Sequence, residues 1–487
     1  MAYKGGQYKP LSDKDVQMIH EGALKVLEET GVKCFTKTGR EYFKKAGANV
    51  DDSTCMVKIS RAMVEDAIAS APSSITLCGR DRKHDVVLEN SNVHLGTGGT
   101  AINVLDLETG KRRPSTTEDV RLFSFFVDAL ENIHLHTINV YPNDVTAIDE
   151  VDVNRFYWAI KNTNKHIMGG IYSMQGLKDV IEMASMVAGG IDNLRANPFV
   201  SFITLIISPL KIDDIYGEMT CYICEQGLPV VVPTEPLCGA TSPITMASNV
   251  MLHVAESLSG IVLTQVVNKG CPAIFGSVGS IVSMSTMDHL SGAIERAMIN
   301  SAVSQMAQFY KLPYYSTAGM TDSKTVDTQA GYESGMSNLL VAMSGANYIH
   351  DAAGLMEFDL TASYEKLIID DEIIGRVLRV LRGIEVNEET LALDIIKEIG
   401  AGGDFLGQEH TVKYMRTEFA KATVSDQQQR EFWEAQGSPD TYQRAHAIAL
   451  DILAKHKPEG IPANIDKAIR EKFTYIRDAE KVEKCAV

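Results

Sequence analysis

Two groups of residues in this chain could do chemistry, and neither forms a familiar catalytic dyad. Cys221-Tyr222-Ile223-Cys224 has the spacing of a pair of zinc ligands, with Cys238 and Cys271 further on. Both members fall in a stretch of helical periodicity, Asp214 to Gln226, where an unpaired cysteine ordinarily packs as a small apolar side chain. The second group is a histidine beside a carboxylate, His350-Asp351, with Asp322 and Lys324 before it and Phe358 after it. A histidine at the mouth of a parallel-strand fold can bind a ligand or move a proton; elsewhere it is an ordinary hydrogen-bonded group. Tyr141, Tyr172, Tyr315 and Phe358 lie in or just after apolar runs, and aromatic faces gathered at one mouth form a cage for a cation. The same rings serve equally well as core. Gly98-Gly99-Thr100 allows close backbone approach but has neither a GK[ST] ending nor GxGxxG spacing, so a tight turn explains it as well as a ligand does. HExxH and GxSxG are absent, and no lysine stands at a strand end.

The elements that must position these residues follow from an alternation of apolar runs. Thr116-Thr117-Glu118-Asp119 is a helix start with acidic groups in its first turn. After it, strands over 135–141, 167–172, 199–208, 230–233, 273–277, 314–318 and 348–350 precede helices over 149–162, 177–188, 214–226, 248–268, 292–309, 328–343 and 363–381. Apolar strands with helical crossovers make a parallel sheet covered on both faces. An eighth unit is expected from 389–399 with Gly402 to Leu406. This series predicts an α/β fold, a closed (β/α)8 TIM barrel, whose ligands sit past the carboxyl ends of the strands. Pro313 to Phe358 holds one whole unit and the next strand, ending at His350. Residues 1–115 read as an N-terminal cap of helices and short strands, opening with a Ser12-capped helix that Gly31 stops. The barrel then occupies 116–408, and 409–487 is a charged helical extension.

With 487 residues, 45% of them apolar, the chain can bury a large core without cross-links. A net charge of −17 and no dense Lys/Arg run exclude a nucleic-acid surface. The first residues, MAYKGGQYKP, have no apolar core of a signal peptide, and no run approaches the roughly 20 apolar residues of a membrane span, so a cytoplasmic protein is expected. Eight scattered cysteines fit reduced thiols rather than a disulfide framework.

Four stretches together resemble one family: Gly98 to Gly110 (GGTAINVLDLETG), Met320 to Lys324 with Asp327 to Glu333, Ala346 to Phe358, and Lys366 to Glu372 (KLIIDDE). They are similar to the trimethylamine methyltransferase (MttB) family, over most of the chain. The resemblance implies a TIM barrel that moves a methyl group from an amine to the Co(I) corrinoid of a separate cognate partner protein, with no cofactor of its own. Founding members carry pyrrolysine; this chain has only standard residues and so resembles the branch without it, whose members act on quaternary amines such as glycine betaine, proline betaine or carnitine. The small residues between Ser344 and Ala353 would occupy the space pyrrolysine fills. Substrate contacts are then expected from Gly98, Gly99, Thr100, Tyr141, Tyr172, Tyr315, Asp322, Lys324, His350 and Phe358, with His350 the candidate catalytic residue and no resident metal. Two other readings stay open: a zinc-dependent corrinoid methyltransferase using Cys221 and Cys224, and a non-catalytic betaine-binding subunit. A homo-oligomer is expected.

Overall fold

The computed structural model describes residues 2–479, which leaves Cys485 outside the described residues. Eight short parallel strands lie side by side: β1 His94–Thr97, β2 His136–Thr137, β3 Ile167–Gly170, β4 Val200–Ile203, β5 Val230–Val232, β6 Ala273–Gly276, β7 Tyr314–Thr317 and β8 Tyr348–Ala353. β8 pairs with β1 at Tyr348↔His94 and Ile349↔Leu95. β1 reaches β2 through a parallel bridge between Gly96 and Leu135, and His134 N donates to Leu95 O at 2.8 Å. The sheet therefore comes round on itself as a nearly closed barrel.

Each strand is followed by a covering helix: α1 Thr117–Ala129, α2 Ile148–Asn162, α3 Met174–Ala188, α4 Asp214–Gln226, α5 Met246–Val267, α6 Ile294–Tyr310, α7 Thr328–Ser344 and α8 Tyr364–Arg382. Local chemistry sets many of their starts. Thr116 and Asp119 form a reciprocal capping box on α1, while Asp213, Asp327 and Ser363 accept from backbone N–H groups at the starts of α4, α7 and α8. α5 is apolar and long enough to cross a bilayer by composition, but 83% of its most apolar window is buried within the protein.

Two expectations about the barrel need correction. Its first strand is β1, at 94–97, inside the segment expected to be cap, and His350 lies in the eighth barrel strand rather than the seventh. The eighth unit expected near 389–406 is absent: Glu388–Leu391 and Leu393–Ile399 are short helices and Gly402 to Leu406 forms no strand. The reason is geometric, since β8 already bonds to β1 and leaves no edge for another strand.

Side-chain alternation divides the core in two. Ile167, Val200, Val230, Phe275 and Ile349 point outward under the helices, while Leu135, Met168, Val231, Ile274, Tyr315 and Tyr348 fill the barrel. The antiparallel hairpin Ser74–Leu77 and Val86–Glu89 inserts Ile75, Leu77, Val86 and Leu88 beneath them and plugs the amino-terminal end. Access is thereby confined to the carboxyl ends of the strands. Helices Thr441–Lys455 and Ala463–Lys472 wrap the outside, the first against α8 and α1, the second against α3.

Candidate functional site

His350 is placed by the pleat of β8: Ile349 packs outward, so the side chains of Tyr348 and His350 both face the barrel interior, His350 one level nearer the mouth. Its ring stacks on Tyr315 with centroids 4.2 Å apart and planes 22° from parallel. His350 Nδ1 donates to Ser316 O at 2.7 Å, and Nε2 meets Asp351 Oδ2 at 2.7 Å. Asp351 holds a left-handed backbone conformation, φ 61°, and Oδ2 also accepts from Thr317 Oγ1 at 2.7 Å. Burial alone would raise its pKa, but His350 and Arg296 beside it hold it below the usual carboxylate range. Its other oxygen, Oδ1, has no protein partner. That oxygen lies 1.9 Å from where a Cβ on Gly98 would sit, so only glycine fits at 98.

Arg296, 3% exposed, reaches into the same region from the first turn of α6. Nη1 meets Asp359 Oδ2 at 3.2 Å, Nη2 donates to Thr317 Oγ1 at 3.4 Å, and Nε has no protein partner. Asp359 ends a run of three residues in the left-handed region, Glu357, Phe358 and Asp359, with φ of 51°, 59° and 69°. Such strain persists only where surrounding structure imposes it, and it is concentrated at functional sites. Desolvation in the crowded mouth, helped by Asp359 and Asp351 and opposed by Arg296, raises Glu235 to about 7. Its side chain keeps 40% exposure, so solvent screens part of that effect. Glu235 faces His289 at 3.4 Å, and burial with the nearby Arg296 pushes His289 down to about 3, so it is neutral. Three carboxylates, Glu235, Asp351 and Asp359, thus gather around the guanidinium of Arg296.

The opposite wall is built on Arg155 of α2, which is fully buried. Its Nη1 donates to Gly170 O at 2.9 Å and Nη2 to Thr100 Oγ1 at 3.2 Å. The guanidinium lies 5.0 Å from the centroid of Tyr172, whose ring meets Tyr141 edge to face at 5.3 Å. Asp152 stands 3.7 Å from Arg155 and accepts from Tyr172 N and Ser173 N; desolvation lifts it to about 6 against these partners.

The structure brings several of the expected residues together and scatters others. Gly98, Tyr315 and His350 meet beside Asp351; Thr100, Tyr141 and Tyr172 line the Arg155 wall, and Gly99 abuts Asn139 O. Tyr315 is only 2% exposed beneath His350, so it is a floor rather than an open cage wall. Lys324 is exposed, sits 4.0 Å from the centroid of Phe358 and donates to Asp322 O at 2.7 Å. Asp322 accepts from Ser291 N and Gly292 N, so its carboxylate ties the β6–α6 and β7–α7 loops. Lys324 and Phe358 are paired with each other, which leaves Phe358 one face fewer for a cation.

Cys221 and Cys224 lie buried on α4, and burial pushes both thiols well up, which disfavours the thiolates that zinc needs. Among the described residues no group of three or more His, Cys, Asp or Glu side chains could hold a metal ion. Arg155, Arg296 and Asp359 are absent from the expected site because they do not stand at strand ends. Arg155 comes from the middle of a helix, Arg296 from the first turn of another and Asp359 from a strained loop, and none of these places has a local sequence signal of a site.

A sequence model of the trimethylamine methyltransferase (MTTB) family matches residues 2–481. The trimethylamine methyltransferase MttB of Desulfitobacterium hafniense (strain DSM 10664 / DCB-2) is 37% identical over 459 residues, spanning 94% of this chain and 92% of its own. The glycine betaine methyltransferase of Desulfitobacterium hafniense (strain Y51) is 34% identical over 467 residues, spanning 95% and 96%. Among solved structures, the Methanosarcina barkeri monomethylamine methyltransferase MtmB superposes with a TM-score of 0.51 at 14% identity, covering 92% of this chain and 95% of its own. That last likeness is one of fold. With a family match along almost its whole length, and with the barrel and its closed lower end described above, the chain belongs to the trimethylamine methyltransferase family.

Proposed function

We propose that this protein takes a methyl group from a betaine-type quaternary amine and passes it to the reduced corrinoid of a cognate partner protein. The observation that carries this reading is the pairing of charges at the mouth: Asp359 meets Arg296 at 3.2 Å and Asp351 meets His350 at 2.7 Å, while Glu235 faces only the neutral His289 at 3.4 Å, which leaves its carboxylate to meet an ammonium ion in a desolvated site. Relatives named as trimethylamine and glycine betaine methyltransferases support an amine methyl donor. The choice of a quaternary amine rests on leaving-group chemistry. When the N–CH3 bond of a quaternary ammonium breaks, the electron pair stays on nitrogen and a neutral tertiary amine departs. The methyl carbon forms its new bond with the electron pair of Co(I), so no proton moves and no covalent helper is needed. A neutral tertiary amine would have to be activated first. The protein's part is to orient the ammonium, exclude water and leave the mouth open to the incoming corrinoid.

The corrinoid is a second substrate here, delivered on another protein. Exposed apolar residues on the loops after β1, β5, β6 and β8, Ile102, Ile244, Met284, Met287 and Leu360, support a protein partner at that face. The test is an absorbance assay with reduced corrinoid protein and trimethylamine, glycine betaine, proline betaine, carnitine and γ-butyrobetaine. Methylated corrinoid should accumulate with at least one quaternary amine. Turnover with trimethylamine alone would overturn the reading, and binding without any methylation would favour a non-catalytic subunit. The protein is also proposed to self-associate, since Leu391, Leu393, Leu406 and Phe419 after α8 are exposed.

A further inference from the structure

Asn139 follows β2 at the mouth, and the mechanism above does not use it. It is completely buried, and neither its side-chain Oδ1 nor its Nδ2 has a protein partner. A buried polar atom left unpaired forfeits its hydration with nothing in return, so a buried carboxamide with both ends free points to a ligand. Its neighbours fix its direction. Ile138 and Val140 both pack in the core outside the barrel, which turns Asn139 between them toward the interior. Thr137, two residues earlier, confirms the phase by hydrogen-bonding Tyr348 Oη inside the barrel at 2.7 Å.

The space in front of Asn139 is open on one side. Thr137 is level with Met168 across the β2–β3 pair, so two residues further on Asn139 comes level with Gly170. A Cβ built on Gly170 would meet nothing within 4 Å, whereas one on Gly98 would strike Asp351 and one on Gly276 would strike Pro233. The room lies over Gly170, and Asn139 borders it.

The chemistry of the free ends narrows the ligand. A carboxylate would satisfy Nδ2 but set its lone pairs against Oδ1. A hydroxyl group satisfies both, donating to Oδ1 while accepting from Nδ2, and it does so whichever way the carboxamide is turned. Resting on the reading that this mouth takes a quaternary amine, we propose that Asn139 binds a hydroxyl on the substrate and that the preferred methyl donor is a hydroxylated quaternary ammonium compound.

The experiment compares carnitine with γ-butyrobetaine, which differ by that hydroxyl alone, in kcat/KM with the full-length protein and in calorimetric binding without the corrinoid partner. Wild-type protein should favour carnitine by roughly tenfold or more, and Asn139→Leu should bring the ratio close to one. Asn139→Ala, which removes both ends of the carboxamide without adding bulk, should reduce the ratio as well and serves if the leucine variant fails to fold. An unchanged ratio in a folded variant, or a wild-type preference for γ-butyrobetaine, overturns the assignment. If glycine betaine is demethylated and carnitine is not, this inference falls while the proposed function stands; if no quaternary amine is demethylated, both fall.

Discussion

Glu235 is where pH should act on the mouth. Desolvation and the neighbouring Asp359 and Asp351 raise its pKa to about 7, so the carboxylate is charged at pH 8 and largely protonated at pH 6. A quaternary ammonium keeps its charge throughout, so its binding weakens as pH falls through 7. KM for the amine should rise about three- to tenfold between pH 8 and pH 6, a modest factor because the side chain is partly exposed. Glu235→Gln should flatten that profile; a profile unchanged by the substitution would remove Glu235 from the binding of the cation. His350→Ala takes away the ring over Tyr315 and one partner of Asp351, while Thr317 still donates to that carboxylate. Methyl transfer should drop by about tenfold or more with the circular dichroism of the barrel retained, and full activity would place His350 outside the reaction. At this scale the placement of His350 was legible, since it follows from the two-residue period of the strand that carries it. Arg155 and Arg296 were not, because a helix side chain reaching over a barrel mouth has no local pattern that separates it from a surface arginine.

Among the elements, α8 holds the two loops that shape the His350 side of the mouth. Lys366 Nζ donates to Asp370 Oδ2 at 2.6 Å, to Ser334 Oγ at 2.7 Å and to Gly319 O at 3.2 Å. Asp370 in turn accepts from Gly354 N at 2.7 Å. Gly319 and Gly354 have φ of 88° and 90°, turns that a side chain would strain, and they lie just past the ends of β7 and β8. Burial pushes Asp370 up and Lys366 opposes it, so removing the lysine leaves a buried carboxylate without its counter-charge. Lys366→Met should cost about 3–5 kcal/mol, measured by chemical unfolding, and adding Asp370→Leu should recover part of that loss. If the single variant is as stable as the wild type, the pair does not hold the loops. Helix positions were legible to within a few residues, because capping residues and apolar periodicity are local. β1 was not, since it is four residues long, runs straight into Gly98-Gly99 and is separated from α1 by the strands Asn103–Leu105 and Arg112–Pro114. Its role is visible only when β8 is there to pair with it.

At the scale of the whole molecule, the segment after α8 stands out by what it leaves uncovered. Ile384, Leu391, Leu393, Leu406, Val412 and Phe419 are 85%, 58%, 57%, 83%, 63% and 75% exposed. The helices Glu388–Leu391, Leu393–Ile399 and Glu409–Tyr414 have 4, 7 and 6 residues, too few to persist unsupported. Apolar faces this exposed are stabilised when another surface covers them, and sedimentation velocity should show an assembly that Leu391→Lys with Leu393→Lys dissociates. A wild-type monomer at micromolar concentration would sink that expectation. The barrel's own seam has a different consequence, one of timing. Tyr348 Oη donates to Thr97 O at 3.0 Å across 251 residues of chain, and on its other side β1 is joined to β2 by the Gly96–Leu135 bridge and by Thr97 Oγ1 donating to Thr137 O at 2.7 Å. A ribosome adding about 5–20 residues per second needs on the order of tens of seconds to supply β8 after β1 has emerged. Through that interval β1 has an unpaired edge, and unpaired strand edges recruit other chains. Newly made protein is therefore most vulnerable to misassembly at this seam, and slower elongation between β1 and β8 should lower its soluble yield.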